Sequence, residues 1–283
     1  MEFQLKNSLL FFTAVSLTLT SCEKDTDSAS SGHSVNHRFN QSMDWIQSHS
    51  YQEIIVQSDD YNILFMGDSH VGSTKNLDTL FNIAKTINAS AVVMAGDLTG
   101  GDKKDYPVLE QCLPHKDSLL SFLTLGNHDL WSRNGWEEFY TRFGPSCYLF
   151  TVRSPAANDL YVSLDSGSGT LGAEQLAWFE DILKNQRPDY RRCIVFTHNN
   201  FFRFRHVETN NPLVEELHVL IELFTRHHVD MLITGHDHKK DDVVFGITTY
   251  IVMDPLKDGA KNAGYLELRV KDGDIMYDFE NFD

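Results

Sequence analysis

Five short apolar runs, each followed within a few residues by aspartate, asparagine or histidine, constrain the fold of this chain more than any other feature. The runs are residues 63–66, 91–94, 122–125, 193–196 and 231–234. Runs of this length, ended by glycine or polar residues, are typical of buried β-strands. Longer stretches with apolar residues at helical spacing lie between them, for example residues 76–87 and 173–184. This alternation predicts an α/β fold in a single domain, residues 51–283.

The polar side chains behind these five runs are of the kinds that bind metal ions. They are Asp68 and His70 after the first run, Asp97 after the second, Asn127, His128 and Asp129 after the third, His198 after the fourth, and His236 and His238 after the fifth. The carboxyl ends of strands in open α/β sheets form the ligand crevice, so the five loops can converge.

Carboxylate, imidazole and amide ligands without thiolate suit Mn, Fe or Zn. Two such ions ~3.5–4 Å apart need one bridging carboxylate, and Asp97 is the candidate. The glycines directly before Asp68, Asp97, Asn127 and His236 are expected to let the backbone turn off each strand.

The order of these motifs resembles the signature of the calcineurin-like metallophosphoesterases. The series is Asp-x-His, Gly-Asp-x-x-Gly, Gly-Asn-His-Asp, a lone His and Gly-His-x-His, from residue 61 to about 240. The resemblance implies a four-layer α/β/β/α sandwich with two mixed β-sheets. It implies one metal ion held by Asp68, His70, Asp97 and His238, and a second held by Asp97, Asn127, His198 and His236. Many members carry a second acid where this chain has Gly100, but that residue is not a direct ligand in the usual picture.

The same resemblance implies hydrolysis of a phosphomonoester or phosphodiester by a hydroxide that bridges two divalent or trivalent ions. His128 would protonate the departing alkoxide, and Asp129 would orient His128 or its loop. We expect a phosphorylated small molecule or lipid as substrate. The alternative is a catalytically silent surface lipoprotein that binds a partner or glycan on the same fold. Arg203, Arg205 and His206 could contact a substrate anion or face solvent.

The N-terminal sequence is typical of an export signal. Lys6 precedes an apolar run over residues 9–17 that is too short to span a bilayer. The sequence Leu19-Thr20-Ser21-Cys22 resembles a bacterial lipobox, which predicts a signal peptide over residues 1–21 and a lipid anchor on Cys22. Residues 22–50 are predicted to be a flexible tether. We therefore expect an exported lipoprotein, periplasmic or at the cell surface, with the outer membrane favoured.

The formal charge of −16 narrows the possible partners. It argues against binding to nucleic acid, beyond a nucleotide substrate, and against binding to an anionic membrane surface. Bound cations can still reverse the field locally for an anionic substrate. After Cys22 only Cys112, Cys147 and Cys193 remain, so at most one disulfide can form within the chain. We expect a monomer.

Overall fold

Two mixed β-sheets with helices on their outer faces make up the protein in a computed structural model, which describes residues 33–49, 51–201 and 214–282. The α-helices of the described residues are α1 (Val35–His49), α2 (Lys75–Thr86), α3 (Asp105–Cys112), α4 (Gly135–Phe143), α5 (Gly172–Asn185) and α6 (Val214–Arg226). The strands are β1 (Gln52–Ile55), β2 (Tyr61–Met66), β3 (Ala91–Ala95), β4 (Leu120–Thr124), β5 (Tyr148–Arg153), β6 (Asn158–Ser163), β7 (Arg192–Phe196), β8 (Met231–Thr234), β9 (Asp241–Phe245), β10 (Thr248–Val252), β11 (Gly264–Lys271) and β12 (Asp274–Asn281).

Each sheet has a parallel centre and at least one antiparallel edge. The larger sheet has the order β1-β5-β6-β7-β8-β10-β9, in which β6, β7, β8 and β10 run parallel. The smaller sheet has the order β12-β11-β2-β3-β4, in which β2, β3 and β4 run parallel. The hairpin of β11 and β12 closes on Asp272 and Gly273, and both residues have positive φ. The parallel strands of each sheet therefore present their carboxyl ends at one edge.

The arrangement of buried side chains confirms four layers. Along β2, Ile63 and Phe65 lie in the core between the sheets, whereas Leu64 and Met66 lie in the core beneath α2, α3 and α4. A third core packs α5 and α6 on the outer face of the larger sheet. Strands covered on both faces have few polar positions, which explains why they read as continuous apolar runs in the sequence. The predicted α/β/β/α sandwich with two mixed sheets is confirmed.

Helix α1 corrects the prediction of a flexible tether over residues 22–50. It has one buried face, which contains Val35, Arg38, Phe39, Ser42 and Ile46. The ring of Phe39 lies 6.0 Å from that of Trp178, and the buried guanidinium of Arg38 binds Asp165 through hydrogen bonds of 2.8 and 3.1 Å. Residues 35–49 are thus part of the folded body. Residues 1–32, with Cys22 and the predicted signal peptide, lie outside the described residues.

The three cysteines beyond Cys22 are free thiols, and Cys147 and Cys193 are buried. Burial raises the pKa of the Cys193 thiol to about 12, so this thiol is uncharged and behaves as a small apolar side chain. Within the described residues, no helix combines the length and the apolar character needed to cross a bilayer.

Candidate metal centre

Five loops from both sheets meet at one point, directly beyond the carboxyl ends of β2, β3, β4, β7 and β8. Hydrogen bonds join the loops across the two sheets. The backbone N–H of His236 donates to Asp68 Oδ2 at 2.8 Å, and His198 Nδ1 lies 3.1 Å from the carbonyl oxygen of Ala95. The second of these bonds orients the His198 ring so that its Nε2 is directed to the centre. The convergence predicted from the five strand ends is observed.

A first group of possible metal ligands contains Asp68, His70 and His238, whose ligand atoms all lie within 4.8 Å of one another. Nε2 of His238 is 3.0 Å from Asp68 Oδ1 and 3.2 Å from His70 Nε2. Asp68 is buried, while His238 is partly open to solvent. Three of the four residues predicted for one metal ion are therefore grouped around one point.

A second group contains Asp97, His198 and His236. Nε2 of His198 is 3.2 Å from Asp97 Oδ2 and 3.0 Å from His236 Nδ1. The same Asp97 Oδ2 lies 3.8 Å from His70 Nε2, which belongs to the first group. Asp97 thus lies between the two groups, where the sequence placed a bridging carboxylate.

Asn127 provides a direct test of whether these residues fit a metal ion. It is buried, and its Oδ1 has no hydrogen-bond partner among the described residues. An unsatisfied buried acceptor costs free energy, and coordination of a cation would satisfy it. The next residue in the chain, His128, donates its backbone N–H to Asp97 Oδ1 at 2.7 Å, so the Asn127 loop abuts the second group. The donor set of carboxylate, imidazole and amide oxygen fits borderline divalent cations.

His128 lies at the rim of the centre. Its Nε2 is 3.9 Å from Asp97 Oδ2, and its ring meets that of His70 edge-on at 4.5 Å. With His70 and Asp97 it forms a third group whose atoms are close enough to hold an ion. Its side chain keeps 25% of its surface exposed, whereas that of His198 is fully buried. The position of His128 is therefore compatible with either of two roles: donor of a proton to the substrate, or ligand of a metal ion.

Asp129 is fully buried and binds the neighbouring loop instead of the His128 ring. Its carboxylate accepts hydrogen bonds from the backbone N–H groups of Leu98, Thr99 and Gly126 and from the Thr99 hydroxyl, at 2.8–3.1 Å. It thereby joins the loop of Asp97 to the loop of Asn127. Of the two predicted roles for Asp129, the orientation of its loop agrees with these contacts.

The backbone of the ligands themselves makes the sharp turns at the centre. Eight non-glycine residues of the described chain have positive φ, and five of them are predicted metal ligands. These are Asp68 (56°), His70 (41°), Asp97 (50°), His236 (71°) and His238 (55°). Such conformations cost about 1–3 kcal/mol each and persist where the surrounding structure enforces them, often at functional sites.

The glycines before the ligands mostly provide space. Among Gly67, Gly96, Gly126 and Gly235, Gly96 alone has positive φ. A Cβ on Gly126 would overlap Asp97 Oδ1, and a Cβ on Gly235 would overlap Asp68 Oδ2. The expectation that these glycines turn the chain is therefore correct for Gly96 and wrong for the other three. Gly126 and Gly235 instead admit the neighbouring carboxylates, whereas a Cβ on Gly67 would make only ordinary contacts of 3.4 Å or more.

Burial and the carboxylates shift the histidine pKa values in opposite directions. Burial lowers the pKa of His70 to about 4, so its imidazole is neutral and able to bind a metal ion. Burial also lowers the pKa of His198, but the adjacent Asp97 carboxylate outweighs it and raises the value to about 9. The hydrogen bond to Asp68 raises the pKa of His238. A cation held by His198 would have to displace the proton that Asp97 favours on this ring, so its binding would weaken as the pH falls.

One residue beside the centre was not singled out by the sequence. The ring of Trp131 packs against that of His128, with centroids 3.6 Å apart and the planes tilted by 34°, and 56% of the surface of Trp131 is exposed. Nothing in the local sequence distinguishes an exposed tryptophan from a core residue. Arg203, Arg205 and His206 lie outside the described residues.

Residues 61–240, more than half of the chain, match the family model of the calcineurin-like phosphoesterases. The chain belongs to this family, and the resemblance drawn from its five motifs is confirmed. The family is metal-dependent, in agreement with the clusters of possible ligands. No curated protein matches the sequence.

Solved structures share the fold at low sequence identity. A dimetal phosphatase from Danio rerio aligns with a TM-score of 0.56 and 13% identity over 78% of this chain and 96% of that one. GAP50, described as the anchor in the inner membrane complex of Plasmodium, aligns with a TM-score of 0.61 and 12% identity over 78% of this chain and 84% of that one. A putative 5′-nucleotidase from Staphylococcus aureus has a TM-score of 0.52 and 15% identity over 78% of this chain and 53% of that one.

Proposed function

We propose that this protein hydrolyses phosphoester bonds, in monoesters or diesters, with two metal ions held by the seven predicted ligands. The position of Asp97 is the observation that carries the proposal. Its Oδ2 lies 3.2 Å from His198 and 3.8 Å from His70, so one carboxylate faces both ligand groups. A two-metal hydrolase needs a carboxylate in this place. Membership of the phosphoesterase family and the fold shared with a dimetal phosphatase support the same reading.

Bound cations supply a water activated near neutral pH and neutralise charge that grows on the phosphoryl oxygens. The side chains of the protein do the rest. Asp129 holds together the loops that carry Asp97 and Asn127. His128 lies at the more exposed rim, where its ring would donate a proton to a departing alkoxide. A phosphorylated small molecule or lipid is the substrate class that we propose.

The role of His128 gives the sharpest test of the proposal. An alkoxide needs a proton in order to leave, whereas nitrophenolate is stable as an anion. His128→Asn should therefore keep its metal content and lose roughly 10²–10⁴-fold in rate on an alkyl phosphoester, the range of a positioned acid. The loss on a nitrophenyl ester should be much smaller. Rates on both esters and metal content by elemental analysis are measured on the same samples.

Other outcomes would contradict the assignment in distinct ways. Loss of metal in His128→Asn would make His128 a ligand, which its distances to His70 and Asp97 allow. Equal losses on both esters would mean that it stabilises charge in the transition state. His115→Asn, on an exposed loop, is the matched control and should change neither quantity.

The alternative is a catalytically silent surface lipoprotein that binds a partner or glycan. An activity screen separates this alternative from an enzyme. The metal-reconstituted protein is assayed against phosphomonoesters, phosphodiesters and pyrophosphates. Hydrolysis that chelation abolishes and added metal restores supports the enzyme. A protein with two metal ions that hydrolyses none of the three classes would favour the silent alternative.

We also propose that the protein is exported and anchored to a membrane through a lipid on Cys22. The support is the sequence Leu19-Thr20-Ser21-Cys22 behind a short apolar run. Such an anchor would place the protein in the periplasm or at the cell surface, with the outer membrane favoured.

A further inference from the structure

Trp131 differs from the other tryptophans of the chain in its exposure. Its exposed fraction is 56%, whereas Trp136 has 1% and Trp45 and Trp178 are partly buried. It follows the motif Gly126-Asn127-His128-Asp129 by two residues and lies beside the metal centre. A large apolar side chain left open at the rim of a polar site is a candidate for ligand contact.

The backbone of Trp131 and one face of its indole pack against neighbouring residues. A short helical turn over His128–Leu130 precedes it, and its backbone N–H donates to the carbonyl oxygen of His128 at 3.0 Å. A Cβ on Gly101 would come within 2.8 Å of Trp131 Cβ, so the neighbouring loop packs closely against it. One face of the indole is covered by the His128 ring, at 3.6 Å between centroids and 34° between planes. The rest of the ring is a preorganised apolar surface.

This surface lies where the leaving group must pass. A proton donor has to come within roughly 2.6–3.2 Å of the oxygen that it protonates. On the proposed mechanism, the oxygen of the leaving group therefore lies beside His128, and the atoms beyond it lie next to the indole that packs against His128. Flat aromatic rings bind well to the face or edge of tryptophan, with little dependence on the identity of the ring.

We infer that Trp131 is the binding platform for an aromatic leaving group, so that the preferred phosphoesters carry a flat ring a short distance from the departing oxygen. The inference rests on the proposed hydrolysis and narrows its substrate class. Nucleosides and aryl alcohols share the required chemistry. Trp131 determines specificity and takes no part in proton transfer.

The test compares two esters whose alkoxides are similar in basicity, 2-phenylethyl phosphate and ethyl phosphate, as monoesters and as methyl diesters. Proton donation by His128 then contributes equally to the hydrolysis of both esters. Trp131→Ala should lower kcat/KM on the phenylethyl ester by about 5–150-fold, mostly through KM, in line with the range for stacking on an aromatic side chain. The ethyl ester should change less than about twofold, and Trp131→Phe should keep most of the preference. Ile55→Ala removes an equally exposed side chain at the opposite end of the larger sheet and serves as control.

A binding measurement makes the test independent of turnover. Calorimetry on the metal-loaded protein compares 3-phenylpropylphosphonate with propylphosphonate, which replace the ester oxygens by carbon. Wild type should bind the aryl compound more tightly, and Trp131→Ala should bind both compounds with the same affinity.

Equal losses of kcat/KM on the two esters in Trp131→Ala would overturn the inference and make Trp131 a positioning residue for His128. An unchanged preference in Trp131→Ala would overturn it as well. If wild type hydrolyses neither ester and none of the three substrate classes above, the proposed function fails, and the two phosphonate affinities still decide the role of Trp131. Failure to bind either phosphonate would also overturn the inference.

One further pair of substrates distinguishes a nucleoside leaving group from an aryl alcohol leaving group. A nucleoside 5′-phosphate and 2-phenylethyl phosphate both place a ring near the departing oxygen, but the nucleoside adds a ribose between them. Faster hydrolysis of the nucleotide that depends on Trp131 would identify a base on the platform. A preference for the phenylethyl ester would identify an aryl alcohol.

Discussion

Replacing Arg38 by methionine should destabilise the protein strongly, because it leaves the buried side chain of Asp165 without its ion-pair partner. Both side chains are fully buried and are joined by two hydrogen bonds, of 2.8 and 3.1 Å. The guanidinium also donates to the Ser168 hydroxyl at 3.0 Å and to the carbonyl oxygen of His33 at 3.1 Å. Methionine fills the space of the side chain but supplies none of these donors. Breaking a buried ion pair at one partner costs about 3–5 kcal/mol.

The size of the effect makes it simple to measure. A loss of about 3–5 kcal/mol in the free energy of unfolding should lower the melting temperature by roughly 6–20 °C in a domain of this length. Urea denaturation of the mature protein, followed by circular dichroism, gives the free energy of unfolding. Arg153→Met is the matched control, because Arg153 pairs with Glu53 at 3.0 Å on the surface, and its loss should stay below about 1 kcal/mol.

A double variant tests the cause of the effect. Arg38→Met combined with Asp165→Asn removes both charges, so it should recover roughly 1–3 kcal/mol relative to Arg38→Met alone. A double variant no more stable than Arg38→Met would show that the ion pair is not the source of the loss. A single variant that loses less than about 1 kcal/mol would show that α1 is not held to the body as the structure describes.

Three further predictions concern the centre and the anchor. Asp97→Asn should reduce the metal content at both positions, whereas His70→Ala should mainly affect one; equal metal loss in both variants, by elemental analysis, would argue against a bridging Asp97. His238→Gly should be more stable than His238→Ala by roughly 1–2 kcal/mol in chelator-treated protein, because the backbone there has φ of 55°; the reverse order in urea denaturation would contradict the strain argument. Cys22→Ala should release the protein from membranes or leave its precursor uncleaved; fractionation and migration like wild type would contradict the anchor.

The centre could be predicted from the sequence because each ligand directly follows a strand that is apolar on both faces. In β2 and β3 the burial of consecutive residues leaves a short, clearly bounded apolar run. The polar residues after such a run have to lie at the sheet edge. Two cations need a shared carboxylate, and Asp97 was the candidate for it among the aspartates of these loops.

Helix α1 could not be recognised in the same way, because its buried face is partly polar. Arg38 and Ser42 occupy two of the five buried positions, so the helical stripe of apolar residues is interrupted. Arg38 is tolerated there because of Asp165, which lies 127 residues further along the chain. A pattern in the local sequence cannot reveal a partner at that distance. The positive φ angles of the ligands could not be predicted from the sequence for a related reason, since they depend on contacts between loops that are distant in the chain.

The packing of α1 shortens the reach of the protein from its proposed anchor. A tether from Cys22 to residue 50 could extend to about 100 Å, at roughly 3.5 Å per residue. Because α1 begins at Val35, only residues 23–34 would connect such a lipid to the folded body, and their span is at most about 40 Å. The catalytic centre of a protein anchored in this way would stay within a thin layer next to the bilayer. Substrates confined to that layer, or released into it by membrane proteins, would meet the enzyme at a far higher local concentration than substrates in the bulk.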